Sequence, residues 1–393
     1  MLLQFRIKNF KSIADEIIID MTAINSLRDN KDFIMEQNGV LAVPVASIFG
    51  ANASGKSNIL DALFAFRTDI ERSLKLKSDE YFFATPFLFN NENKNLPTEF
   101  EIFFIINDRE YRYGYSILKN KIEQEWLYFR KASKYKTKWQ NILERQQNTF
   151  LYDKKYSKLS EYDHLFTDKL LALSFFSTKE LKNIIEFNEV YEWLRKGLHI
   201  GPILECTDID WEYYYEKRQR VDDCIKFLKE FDITIEDIII EKDLDKDNTP
   251  TYRAYTIHNG TRYNVGIESC GTQKLMSLFI IINIFLKGVR GILAIDELDC
   301  QLHPLILRRI IQMFHDKEIN TYGSQLIFSS HNLIVLDSKD LRRDEVWFAE
   351  KDENGHTDLY SLASFKIDDK RYRADLDFGK HYLTGRFGAI PYI

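Results

Sequence analysis

The chain has 393 residues, 54 Lys+Arg against 60 Asp+Glu, and a net charge of −6, with 45% hydrophobic and 29% charged residues. An acidic balance excludes a strongly basic nucleic-acid coat, and the 29 Phe and 21 Tyr exclude a chain too poor in apolar surface to fold. Length allows two or three lobes around a sizeable core.

The opening "MLLQFRIKNFKSI" lacks the apolar core and cleavage site of a secretory leader. The alternation of Leu3, Phe5 and Ile7 predicts a strand with one buried face, and "EIIID" at 16–20 predicts a second. "VPVASIFG" (43–50) is a short apolar strand ending in glycine. "KSNILDALFAFRTDI" (56–70) reads as a helix. Between 99 and 130, three β-runs separated by "DR" and "KNK" predict an antiparallel meander. Helical patterns dominate 160–232, and the polar "KDLDKDNTP" (242–250) reads as a surface loop. Short strands lead into the last third, where "GILAIDE", "GSQLIFSSH" and "DEVWFAE" alternate with helices.

The longest apolar run, "LMSLFIIINIFL" (275–286), falls short of the ~20 residues of a membrane span and reads as a buried helix. Cys206, Cys224, Cys270 and Cys300 show no C-x-x-C pairing, which predicts free buried thiols in a reducing compartment. A cytoplasmic protein that engages no membrane is expected.

Gly50-Ala51-Asn52-Ala53-Ser54-Gly55-Lys56-Ser57 matches G-x-x-x-x-G-K-[ST], with a strand before it and the helix from Lys56 after it, and Asn58 is counted with these as nucleotide-binding. In such a loop, backbone N–H groups and the helix N-terminus face phosphates. Lys56 would reach the β- and γ-phosphates, and the Ser57 hydroxyl would ligate Mg2+. A metal-holding acid is also needed at the end of another strand. "GILAIDELD" supplies Asp296 after four apolar residues, at a carboxyl strand end where open α/β sheets bind ligands. Glu297, beside it, is placed to orient and deprotonate an attacking water.

No N-K-x-D base-reading motif is present, which argues against a Ras-like GTPase. "IESCGTQKL" (267–275) opens a helix before the acid strand, and "SQLIFSSHN" (324–332) ends the next strand at His331. By itself the first is also a plausible helix cap, and the second a structural histidine. In this order, the motifs resemble the ABC-type ATPase heads, on the SMC/RecF/OLD side of that class. The resemblance implies an α/β P-loop NTPase with a split α/β lobe, an antiparallel β subdomain and a helical insertion. It implies that Ser269, Gly271 and Thr272 cap the γ-phosphate held by a second subunit. Asp299 would lie at the dimer seam, and His331 would be the switch histidine that acts with Glu297 and Lys56 in catalysis. Preference for ATP over GTP also rests on the resemblance. The signature departs from the L-S-G-G-Q of membrane transporters, and no Q-loop glutamine can be placed.

The expected division is 1–98 for the first part of the ATPase lobe, 99–158 for the β subdomain, 159–260 for the helical insertion with return strands, and 261–393 for the rest of the lobe. No sustained heptads are present, so the chain is no SMC rod. Only 62 residues follow His331, too few for the nuclease domain of OLD proteins. Asp375 and Asp377 read as surface residues. "KNFKSI", "AIDELDCQLHP" and the ending "YLTGRFGAIPYI" are similar to the small bacterial ATPases typified by RloA and the first AbiL protein. That likeness implies a homodimer or higher oligomer, a separately encoded effector and a role in defence against phage. A RecF-like ATPase acting directly on DNA, and a scaffold with negligible turnover, stay open. "FRKASKYKTKW" (129–139), the densest basic stretch, could meet nucleic acid or be a solvated loop.

Overall fold

The computed structural model describes residues 1–27, 29–135, 137–178, 184–201, 209–365 and 377–390, and all structural statements concern these. β1 (Leu2–Lys8) buries Phe5 and Ile7 and turns back into β2 (Ile17–Asp20). A hairpin follows, β3 (Met35–Gln37) and β4 (Val40–Ala42), turning at Asn38 and Gly39 with φ of 53° and 78°. That positive-φ pair is what a tight hairpin requires. β5 (Val45–Phe49) is buried along its whole length and feeds α1 (Lys56–Arg72).

β6 (Thr98–Ile106), β7 (Arg109–Leu118) and β8 (Lys121–Lys131) form the meander read from the sequence. β9 (Gln140–Gln146) and β10 (Thr149–Leu151) extend it, giving an antiparallel sheet ordered β10-β9-β8-β7-β6-β1-β2. α1 lies on the buried face of this sheet. Its Phe66 ring stacks on Tyr115 at 5.5 Å and lies 5.5 Å from Phe5. The basic stretch 129–139 runs from the end of β8 into the loop before β9. Its Arg130 is bonded to the nearly buried Glu110 at 2.5 Å and lies over Trp139, so that charge is already neutralised.

α2 (Ala172–Phe176), α3 (Ile185–Gly197) and β11 (Leu198–Gly201) follow, then α4 (Trp211–Glu216) and α5 (Arg218–Lys229). Next come β12 (Asp237–Leu244), β13 (Pro250–His258) and β14 (Thr261–Asn264), a three-stranded antiparallel sheet. The expected loop at 242–250 is therefore shorter. β12 continues through Leu244 because its polar residues pair across strands, Asp243 with Arg253 and Glu241 with Arg262.

α6 (Cys270–Lys287), β15 (Ile292–Ile295), α7 (Pro304–His315), β16 (Gln325–Ser329), β17 (Val346–Lys351), β18 (Thr357–Ser361) and α8 (Phe378–Leu383) complete the chain. A second sheet runs β11-β15-β16-β5-β17-β18, parallel except for β18. The first β-α unit is thus joined to the last third of the chain. α6 has the length and composition of a membrane span, yet 67% of its residues are buried, in the core beside this sheet. Cys224 is buried with its thiol pushed up to about 12 by that burial. Cys270 is exposed, contrary to expectation, because it starts α6 at the surface. Cys206 and Asp375 lie outside the described residues, and Asp377 is exposed and caps α8.

Candidate functional site

β5 ends at Phe49, and the loop from Gly50 to Gly55 delivers the chain to α1. Two glycines are sterically required. A Cβ on Gly50 would come within 2.3 Å of the Ala349 carbonyl, and one on Gly55 (φ 102°) within 2.1 Å of Thr357 Oγ1. Ala53 also takes a left-handed conformation, φ 62°. Lys56 is 5% exposed and donates to the carbonyls of Gly50 and Ala51, each at 2.9 Å, so its ammonium sits inside the loop. Ser54 Oγ is buried in the loop without a partner. Asn52 and Ser57 are exposed, Ser57 in the first turn of α1.

The parallel pairing of β15 with β16, and of β16 with β5, brings the acid strand near this loop. Asp296 and Glu297 follow β15 and are half-buried. Ser329, the last residue of β16, binds both: its hydroxyl donates to Asp296 Oδ1 and accepts the Glu297 N–H at 2.7 Å. Glu297 has φ 45°, a left-handed turn that redirects the chain immediately after the strand. Asp299 accepts the His331 backbone N–H at 3.2 Å, while its other oxygen is buried and unpartnered. Burial pushes the Lys56 ammonium below its ordinary range, and Asp296, Glu297 and Asp299 pull it back. The three acids therefore share one electrostatic neighbourhood with the lysine.

His331 is exposed and lines a cleft of about 260 Å³ together with Gly50, Ala51, Asn52 and Tyr382. A larger hollow, about 570 Å³, lies around Arg6, Glu101, Arg112 and Trp126 on the antiparallel sheet. It contains none of the loop residues. The smaller cleft lies between the phosphate loop and the His331 turn.

The structure does not bring Ser269, Gly271 and Thr272 into that cleft. Ser269 is exposed and caps α6, its Oγ accepting the Thr272 N–H at 3.1 Å. A Cβ on Gly271 would stand 3.0 Å from the Gln301 carbonyl, and Lys274 Nζ donates to the Cys300 carbonyl at 2.6 Å. The start of α6 thus rests on the turn after Asp299 and faces outward.

Three supports of the site escape sequence reasoning. Thr357 Oγ1 lies 3.0 Å from the Ser54 carbonyl and 2.7 Å from Ser12 Oγ, and Ser12 Oγ in turn accepts from Asn58 Nδ2 at 2.7 Å. Ser329 was visible only as part of the polar cluster before His331. The third support is the "GRFGAIP" tail, whose Ala389 carbonyl accepts the Ala51 N–H at 3.1 Å.

The family model "AAA domain, putative AbiEii toxin, Type IV TA system" matches residues 45–337, from the start of β5 to just past His331. The chain belongs to this family. Its fold is that of a P-loop NTPase, with the loop, the acid strand and the histidine strand side by side in one sheet. Similar solved structures include the SMC head domain from Thermotoga maritima, at 16% identity and TM-score 0.46, covering 93% of this chain and 99% of that one. Another is a Smc head bound to the C-terminal domain of ScpA, derived from Pyrococcus furiosus, at 14% identity and TM-score 0.42, with coverages of 92% and 96%. RecF bound to ATP matches at 11% identity and TM-score 0.35, with coverages of 92% and 99%. No curated protein matches the chain.

The residues present fit a nucleoside triphosphate with Mg2+. Glycines keep the loop open, the unpartnered Ser54 hydroxyl lies inside it, and a buried lysine faces three carboxylates. Among the described residues no cluster of three or more His, Cys, Asp or Glu could hold a metal alone. A donor set of Ser57 and Asp296 suits Mg2+, which takes one or two protein oxygens and completes its shell with phosphate and water.

Proposed function

We propose that this protein is a cytoplasmic Mg-ATPase whose active sites are completed between two copies of the chain. The observation that carries this reading is the separation within one protomer. Asp296 and Glu297 act electrostatically on Lys56 in the phosphate loop, whereas Ser269, at the start of α6, is exposed and does not line the cleft beside that loop. A second copy would bring its Ser269, Gly271 and Thr272 to the γ-phosphate, where a helix N-terminus stabilises anionic charge.

In this reading Gly50 to Asn58 bind the triphosphate and Lys56 neutralises charge on its outer phosphates. Mg2+, when bound by Ser57 and Asp296, would neutralise further charge on the phosphoryl group. Glu297 takes the proton of the attacking water, His331 hydrogen-bonds the γ-phosphate, and Asp299 positions the His331 turn at the seam. Hydrolysis removes the group that holds the two copies closed, so nucleotide state becomes assembly state. A regulatory role in bacterial defence against phage, through a separately encoded effector, rests on the likeness of "AIDELDCQLHP" and "YLTGRFGAIPYI" to the RloA and AbiL type, beside a family description that names a putative AbiEii toxin of a type IV system. For direct action on DNA the stretch 129–139 offers exposed Lys131, Lys134 and Lys138 but not Arg130, which is paired with Glu110.

The test is steady-state ATPase activity per molecule across a wide protein concentration range, with mass measured in solution. Shared sites require specific activity to rise with concentration and saturate as dimers form, or to stay flat in a chain that is already dimeric. Flat activity in a monomer would overturn the shared site. In the same assay Glu297→Gln should bind ATP and accumulate as the closed dimer. Turnover at the parental rate would remove Glu297 from its role.

A further inference from the structure

The C-terminal segment touches both the phosphate loop and the turn that follows His331. α8 begins under the His331 turn: the Gly379 N–H donates to the Leu336 carbonyl at 2.8 Å, and a Cβ on Gly379 would stand 2.9 Å from the Leu333 carbonyl. From α8, the Tyr382 ring faces the cleft shared by Gly50, Ala51, Asn52 and His331. Its hydroxyl donates at 2.7 Å to the Ala389 carbonyl, which also accepts the Ala51 N–H at 3.1 Å.

The segment is held firmly enough to act as a support. Phe387 and Ala389 are each 1% exposed, and Phe387 packs against Phe348 and Phe365. Tyr382 stacks on Phe348 with ring centroids 5.5 Å apart and 5° between planes. Gly388 (φ 70°) lets the chain pass Tyr360, whose hydroxyl a Cβ would approach to 2.6 Å. The tail is thus built in at β17 and β18 and reaches the phosphate loop through one carbonyl.

We propose that residues 377–390 are part of the nucleotide site, with Tyr382 a positioning residue that acts through Ala389 to set the phosphate loop at Ala51 and tie it to the His331 turn. This rests on the nucleotide reading above and adds to it a component that the family match at 45–337 does not cover. Because the carbonyl of Ala389 is shared by two donors, losing the tyrosine hydroxyl leaves the Ala51 amide its only partner. The loop then gains freedom that must be removed again whenever a triphosphate binds. The cost falls on binding, since no tail atom is asked to stabilise charge that develops only in the transition state.

The experiment measures Kd for a fluorescent non-hydrolysable ATP analogue with Mg2+, kcat, and the unfolding midpoint of the nucleotide-free protein. It compares the full-length wild type, Tyr382→Phe and Gly388→Ala. Tyr382→Phe keeps the ring stack and removes one hydrogen bond, and Gly388→Ala displaces Ala389 from the other side. Both should raise Kd about three- to tenfold with kcat within about twofold. In Tyr382→Phe the midpoint should stay near that of the wild type. Wild-type binding with Kd unchanged in both variants overturns this inference alone. So does a fall in kcat and midpoint in proportion to Kd, which would make Tyr382 a support of the fold only. A wild type that binds no ATP analogue overturns the nucleotide reading together with it.

Discussion

Ser329 and Asp296, the one ending β16 and the other following β15, are joined by a hydrogen bond from the serine hydroxyl to the carboxylate, and the same hydroxyl accepts the Glu297 N–H at 2.7 Å. One buried side chain therefore sets both acids. Ser329→Ala should lower kcat about ten- to a hundredfold, the range expected for losing a hydrogen bond to a charged group. It should also raise the Mg2+ concentration needed for half-maximal rate. A Mg2+ titration of ATPase activity checks this, and an unchanged titration curve would remove Ser329 from the metal-holding arrangement.

The outward-facing Ser269 predicts complementation between two inactive variants. Lys56→Ala would disable its own loop, and under the shared-site proposal Ser269→Arg would block the cap offered to a partner. Each alone should be inactive. An equal, freely exchanging mixture should regain about a quarter of wild-type activity, since half the dimers hold one intact site of two. A mixture as inactive as its parts would exclude sites shared in this way.

Gly55 has no room for a side chain, with Thr357 Oγ1 2.1 Å and its methyl carbon 2.7 Å from where a Cβ would stand. Gly55→Ala should cost more than about 2 kcal/mol of stability, from the clash and the left-handed backbone together. Combining it with Thr357→Ala should cost less than the sum of the two changes, because the second relieves part of the clash. Denaturant unfolding of the four proteins in the cycle measures the coupling.

Asp69 is buried on α1, where its Oδ1 accepts the Phe83 N–H at 2.7 Å and its Oδ2 lies 3.4 Å from the Tyr115 hydroxyl. Burial pushes its carboxyl up to about 7. Between pH near 4 and 7 the folded protein keeps a proton that the unfolded chain has released, so this group makes stability fall as pH rises through that window. The full effect is on the order of 4 kcal/mol as an upper bound. Asp69→Asn, which can still accept from Phe83, should flatten that part of the stability profile. Urea unfolding at pH 5 and pH 8 tests it, and an unchanged slope in the variant would show that other groups carry the dependence.

The phosphate loop and acid strand were legible because each signal is local. An apolar strand, a run of small residues and a helix lie within residues 45–72, and four apolar residues precede Asp296. β9 escaped because "QNILERQ" buries Ile142, Leu143 and Arg145, a pattern interrupted where the ladder shifts register between Leu127 and Tyr128. The strand content of 242–244 escaped because charge pairs with Arg253 and Arg262, rather than apolar alternation, hold those strands together. Ser12, Thr357 and Ala389 were illegible for a different reason. Each supports the loop across some 40 to 340 residues of intervening chain, by a contact that no local spacing encodes.

The placement of β5 between β16 and β17 also governs how the protein is made. Both partners of this strand are translated about 280 to 300 residues after it. At roughly 5–20 residues per second, β5 leaves the ribosome tens of seconds before either neighbour exists. During that interval its apolar residues and both its edges must be shielded by α1, by the early antiparallel strands or by a chaperone. A messenger cut short before Val346 yields a polypeptide that carries the whole phosphate loop yet cannot complete the sheet beneath it. Completion of that sheet therefore marks that synthesis has passed β17.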